Sequence, residues 1–297
     1  MALLVAQRRF VKKGVGGACL KIDMEKFDPI KNFKEEEQGT FWDEYSKNFI
    51  SIEAAQSTKS LLRGEIRLCG DFLRSSDRSN KGKILKLDLW NEAHHTAILT
   101  YIHHFYDEVH AIDISPDVVR QALKKLEEKN IKVKAVIGDM RKMPYPDNSF
   151  DYVYTMGTIE HIPRPQDAME EIFRVLKPGG RAVIGVPNKY EWFGKSLILD
   201  FFALTGIKED GYEHSYGWRQ FTRELEDSGL RVLRKTGAYF MPWFIRAADW
   251  FLAQRLPKAA IVLWPFIKFS DYLSNSNFFL KHGSVVVAVV EKPHHAR

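Results

Sequence analysis

The chain has 297 residues, 45% of them hydrophobic and 28% charged, ordinary proportions for a globular protein that exclude disorder of the whole chain. Its two cysteines, Cys19 and Cys69, lie far apart, fit a reducing compartment and exclude a disulfide framework. The net charge of +6 is concentrated, because residues 231–282 hold eight Lys/Arg against only Asp249 and Asp271, which is the whole excess.

The apolar start, Met1 to Ala6, precedes its basic residues (Arg8, Arg9, Lys12, Lys13), the reverse of a secretory signal, so export is not expected. The longest uncharged apolar runs, 237–245 and 259–267, fall well short of the roughly 18 residues of a spanning helix. Residues 1–80 show mixed charge and scattered aromatics (Phe27, Phe33, Phe41, Trp42, Tyr45), and read as a helical extension that packs on the following domain or covers its site. From residue 83 a regular rhythm begins: a strand over 84–89, a helix over 93–105 and a second strand over 108–112. Ser115 followed by Pro116 opens the next helix as N-cap and first helical residue. Strands over 131–137 and 150–154 follow, then a helix over 166–176 that stops at the turn Lys177-Pro178-Gly179-Gly180, and a strand over 181–186. A helix near 220–227 and strands over 230–236 and 284–290 complete the series. Alternation of this kind predicts an α/β fold: a Rossmann-like, seven-stranded, mostly parallel sheet with helices on both faces, bearing its ligand site beyond the carboxyl ends of the strands. The expected division is an extension or lid over 1–80, a core over 81–236 and 283–297, and an aromatic and basic cap over 237–282.

Four ordered stretches then stand out: Val109 to Ser115; Val136 to Met140; Phe150 to Ile162, which includes Thr155-Met156-Gly157-Thr158-Ile159-Glu160-His161; and Leu176 to Asn188. Together they resemble the class I S-adenosylmethionine-dependent methyltransferases, particularly the branch of ubiquinone and menaquinone biosynthesis. The resemblance covers about 110 residues and implies S-adenosylmethionine as cofactor. Asp113, beside Ile114, would accept both ribose hydroxyls, a pair of charge-assisted hydrogen bonds. Asp139 would meet the adenine amino group and the Met140 N–H a ring nitrogen. Thr155, Met156 and Gly157 would face the methionine part, Gly157 allowing close backbone approach.

One motif departs from the family. The first strand should lead from an acidic residue into a glycine-rich loop, but here it reads Lys86-Leu87-Asp88-Leu89-Trp90-Asn91-Glu92-Ala93-His94. In one register Asp88, beside Leu89, meets the cofactor's ammonium group; in a register shifted by two, Lys86 takes that place. Either the loop follows another path and still holds the cofactor, or the domain is a catalytically silent binding module.

Methyl transfer from a sulfonium is an in-line displacement that depends on alignment and exclusion of water, with a base needed only when the acceptor must lose a proton. His161 is the first candidate base, His214 the second, and Tyr216 a candidate hydrogen-bond partner for the acceptor. The histidine pairs 94/95, 103/104 and 294/295 have no partners at metal-ligand spacing, so no metal is expected. The aromatics of the cap, interleaved with basic residues, suit a lid over a small, lipid-like acceptor or a patch resting on anionic lipid. No nucleic-acid recognition module is recognisable. The expectation is a cytoplasmic methyltransferase, with contact at the membrane surface through 237–282.

Overall fold

The computed structural model describes residues 38–48, 55–75, 79–95, 97–192 and 214–294. The greater part of the expected N-terminal extension, residues 1–37, therefore lies outside the described residues, as do 193–213. Seven strands form one sheet in the order β3-β2-β1-β4-β5-β7-β6. The strands are β1 Lys83–Leu87, β2 Glu108–Asp113, β3 Lys134–Ile137, β4 Phe150–Met156, β5 Leu176–Pro187, β6 Arg231–Gly237 and β7 Val285–Glu291. β7 runs antiparallel between β5 and β6, and the remaining pairings are parallel. The fold is the one expected, a mostly parallel Rossmann-like sheet covered on both faces.

Alternation along the strands sorts the core into two layers. From β1, Ile84 joins the layer beneath α2 (Gln56–Phe72) and α5 (Pro116–Glu127), while Leu85 and Leu87 join the one beneath α6 (Pro165–Val175) and α7 (Trp218–Asp227). α5 begins as its sequence predicts, with the Ser115 hydroxyl accepting the Val118 N–H and Pro116 in the first turn.

Three expectations need correction. The single helix over 93–105 is broken into α3 (Trp90–His94) and α4 (Leu99–Ile102), followed by a 3₁₀ turn, His103–Phe105. Between α3 and α4 Ala97 takes a positive φ, and the buried Glu92 carboxylate accepts the Leu99 N–H at 3.2 Å, so a side chain ends one helix and orients the next. The first strand stops at Leu87, two residues early, because Asp88 turns into the left-handed region at φ 75°. The helix before β5 ends at Val175, and the turn around Gly179 (φ 77°) is drawn into the strand's edge, where Gly179 N–H bonds the Lys292 carbonyl.

Since β1, β2, β4, β5 and β6 share one direction, their carboxyl ends define one mouth of the sheet. Between the end of β6 and the start of β7, both at that mouth, come α8 (Trp243–Arg255), a short turn Ala259–Leu263, α9 (Trp264–Leu273) and α10 (Asn277–Lys281). Ahead of the sheet, α1 (Gln38–Asn48) also lies against the mouth. Among the described residues no helix is long and apolar enough to cross a membrane.

Candidate functional site

Asp113 closes β2 at the mouth. Its side chain is buried, and both oxygens accept backbone N–H groups, from Leu89 at 2.7 Å and Ser115 at 2.9 Å. Burial outweighs those bonds and raises its pKa from 3.8 to about 6. Ile114, the next residue, has its carbonyl against Gly39 of α1.

At the tip of β1 the chain builds a buried ion cluster. Lys86, wholly buried, donates from Nζ to the Asp88 carbonyl at 2.8 Å and lies 3.2 Å from Asp88 Oδ1 and 3.0 Å from Glu92 Oε2. The Tyr154 ring lies 5.8 Å from the same ammonium. Burial works against the charged lysine, but the Asp88 and Glu92 carboxylates outweigh it and hold its pKa above the usual value. Glu65 reaches the cluster from α2; burial, partly opposed by Lys86, lifts its pKa from 4.5 to about 7. The Asp88 carboxylate is fully engaged, since Oδ1 also accepts the Trp90 N–H at 3.2 Å and Oδ2 the Thr158 hydroxyl at 2.6 Å. A left-handed φ at Asp88 is the conformation that glycine adopts most readily. Lys86 lies inside the strand and Asp88 at the turn that follows it.

From β4, Thr155 and Met156 are buried. Gly157 follows at φ 79°, and its N–H bonds the Gly185 carbonyl at 2.9 Å. The Thr158–Asp88 hydrogen bond clips this loop to the one after β1. Beyond β3, Asp139 is clasped by Arg141, whose backbone N–H and guanidinium approach at 2.6 to 3.1 Å. Burial opposes the Asp139 charge, but the Arg141 bonds prevail and its pKa is lowered. Met140 is half-buried beside the lower layer.

α1 roofs these tips. Trp42 and Tyr45 meet the Trp90 ring at 5.6 and 5.4 Å, and Trp42 meets His161 edge-on at 5.1 Å. Ser46 bonds Asp117 and His94, each at 2.9 Å, and the Ser115 hydroxyl bonds Asp43. The structure thus brings Asp88, Leu89, Asp113, Gly157 and His161 together beneath one helix. His214 stands apart: its N–H bonds the Glu160 carbonyl at 2.9 Å and its ring contacts Gln220 and Tyr216. Tyr216 is fully buried in the layer beneath α6 and α7, 5.5 Å from Phe221, and its backbone bridges to Asn188 just past the end of β5. Sequence reasoning did not assign roles to Glu65, Glu92, Thr158 or Trp42. The available signal was the placement of Lys86 between Leu85 and Leu87 in a buried strand, where an ammonium demands carboxylate partners.

Strand order, antiparallel seventh strand and a carboxylate at the β2 tip define the class I methyltransferase architecture. Residues 92–184 match the sequence model of the methyltransferase domain family. Over this region the chain resembles the class I S-adenosylmethionine-dependent methyltransferases. It is 42% identical over 107 residues to phosphoethanolamine N-methyltransferase 2 of Caenorhabditis elegans, which covers 34% of this chain and 24% of that protein. It is 34% identical over 144 residues to demethylmenaquinone methyltransferase of Listeria welshimeri, covering 42% and 61%. The chain thus spans less than two thirds of the length of these relatives. Among solved structures, geranyl diphosphate C-methyltransferase from Streptomyces coelicolor, in complex with S-adenosyl-L-homocysteine, superposes with a TM-score of 0.52 at 14% identity over 77% of this chain and 79% of that one. S-adenosylmethionine is the cofactor of this family.

Proposed function

We propose that the protein transfers the methyl group of S-adenosylmethionine to a small, hydrophobic acceptor. The observation that carries this reading is a buried carboxylate, Asp113, at the tip of β2, across from a left-handed glycine, Gly157, at the tip of β4. The residues present fit the nucleoside end of the cofactor. Asp113 and Ile114 take the ribose, and Asp139 and the Met140 N–H the adenine. Thr155, Met156 and Gly157 border the amino-acid end, with Asp88 and Leu89 on the facing loop. Bound there, the cofactor supplies an electrophilic methyl on a sulfonium.

The chain's own part is alignment and exclusion of water. α1, within an extension over 1–80, acts as a lid that brings Trp42 over the mouth; residues 81–236 and 283–297 form the core and 237–282 the cap. His161, beneath Trp42, is the group placed to take a proton when the acceptor must lose one, and His214 is the more remote candidate. The relative named for demethylmenaquinone supports a hydrophobic acceptor, and the names of the relatives favour methyl transfer over a silent binding module.

Calorimetry with S-adenosylhomocysteine tests the reading. Folded wild-type protein should bind it at micromolar concentration. Asp113→Asn should weaken binding by roughly a hundredfold, the equivalent of two charge-assisted hydrogen bonds. Absence of binding to folded wild-type protein, or an unaltered affinity in the variant, overturns it.

A further inference from the structure

The cap inverts the usual amphipathic arrangement. In α9 and the turn before it, Ala260, Ile267 and Ser270 face inward, whereas Val262, Trp264, Phe266, Phe269 and Tyr272 face solvent. Val262, Phe266 and Phe269 recur at the spacing of one helical face, and Phe269 is 62% exposed. Ile261, 72% exposed, adjoins them. Scattered apolar residues on a surface are ordinary, but a sustained stripe on one element is a contact surface.

Charge is segregated across the same elements. Both acids of the cap point inward to α2: Asp249 accepts the Ser57 N–H at 2.7 Å, and Asp271 pairs with Arg63 at 2.6 Å and bonds Ser60. The outer side carries exposed Arg255, Lys258 and Lys268. Several of the cations lie over aromatic faces, Lys268 over Trp264 at 5.4 Å and Arg255 over Phe251 at 4.9 Å, an arrangement that keeps the charged head beside an apolar body. Around Trp192, just past the end of β5, Phe278 and Phe279 of α10 pack at 5.8 and 5.9 Å, so exposed aromatics also stand at the mouth.

We infer that the outer face of the turn 259–263 and α9 is a docking surface for an anionic lipid bilayer, with the stripe entering the headgroup boundary and Lys258 and Lys268 meeting lipid charge. A lipid surface is the occupant favoured because the stripe is apolar and flanked by exposed Arg255, Lys258 and Lys268, while the cap's two acids are turned to α2, the complement of an anionic interface. The inference deepens the proposal of a hydrophobic acceptor, since docking would hold the mouth near a bilayer-dissolved substrate.

Co-sedimentation with phosphatidylglycerol/phosphatidylcholine vesicles tests it, with S-adenosylhomocysteine calorimetry run on every variant in the absence of lipid. Wild-type protein should pellet with mixed vesicles, less so as salt rises, and weakly with pure phosphatidylcholine. K258Q/K268Q should lower partitioning on the order of thirtyfold, the effect of two cations at an anionic surface. V262S/F266S/F269S should abolish it, with cofactor-product binding retained in both. Wild-type protein left in the supernatant at low salt overturns the inference, as does binding indifferent to both variants. Concentration-dependent self-association abolished by V262S/F266S/F269S, without vesicle binding, would assign the stripe to a second copy of this chain and overturn it as well. Loss of S-adenosylhomocysteine binding in wild-type protein would instead strike the methyltransferase reading and leave vesicle binding to be read separately.

Discussion

Lys86→Met removes the cation from the cluster under the mouth while keeping most of the side-chain volume. At 3.0 Å the Lys86–Glu92 attraction amounts to about 5 kcal/mol for an effective dielectric near 20, and it offsets the cost of burying both groups. Glu92 is completely buried, and Asp88 and Glu65 are close behind, so the variant leaves carboxylates in an apolar layer with no counter-charge. Loss of one partner of a buried pair costs about 3–5 kcal/mol. Measured by urea denaturation at pH 8, the variant's unfolding free energy should lie that far below that of wild type. The deficit should shrink at pH 5, because carboxylates without their cation have raised pKa values and take up protons. Adding Glu92→Gln should restore part of the loss by removing the stranded charge. A deficit below about 1 kcal/mol at pH 8, or one identical at pH 5, would refute the reasoning, for Lys86 would then not be neutralising these acids.

Glu65→Gln examines the same cluster by pH. With a folded pKa raised from 4.5 to about 7, Glu65 contributes stability that is whole below 4.5 and lost as pH rises through 7, roughly 3 kcal/mol in all. The variant should flatten the fall in stability between those values; a slope unchanged from wild type would contradict the assignment. For Gly157→Ala, an added Cβ would meet Glu160 at 3.5 Å, an ordinary contact, so the penalty is the left-handed φ alone, about 1–2 kcal/mol. It should appear as a lowered thermal midpoint, and an unaltered midpoint would show that the turn has relaxed.

The sheet was legible because its strands alternate with amphipathic helices and its punctuation is explicit, as at Ser115-Pro116 and Gly179. The positions of Asp113 and Gly157 at strand ends were legible from the stretches that carry the family resemblance. What eluded the sequence depended on contacts between residues distant along the chain. Glu65 lies 21 residues before Lys86, and Ser46 and Asp43 reach their partners Asp117 and Ser115 across more than 70 residues. The break at Ala97 escaped for a related reason: residues 93–105 have helical periodicity, and at the break the buried Glu92 carboxylate, held by Lys86, accepts the Leu99 N–H. The burial of Tyr216 and its backbone bridge to Asn188 are likewise contacts that no local pattern reveals.

Lys86, Asp88, Trp90 and Glu92 are joined by direct contacts. A glycine-rich loop serves by letting backbone come close, and the position that needs a left-handed turn is occupied here by Asp88, a residue type that tolerates it better than most. Lys86 supports that turn through the Asp88 carbonyl, and Glu92, one turn into the short helix, balances the lysine. Trp90 begins that helix, and its ring packs against Trp42 and Tyr45 of the roof. A change at 86 or at 90 would therefore break a partner: an acid at 86 would face Asp88 and Glu92, and a glycine at 90 would remove the ring that meets Trp42 and Tyr45 of α1. The loop after β1 thus combines a turn supported by charge with a helix held by aromatic contact, beside Asp113 and Gly157.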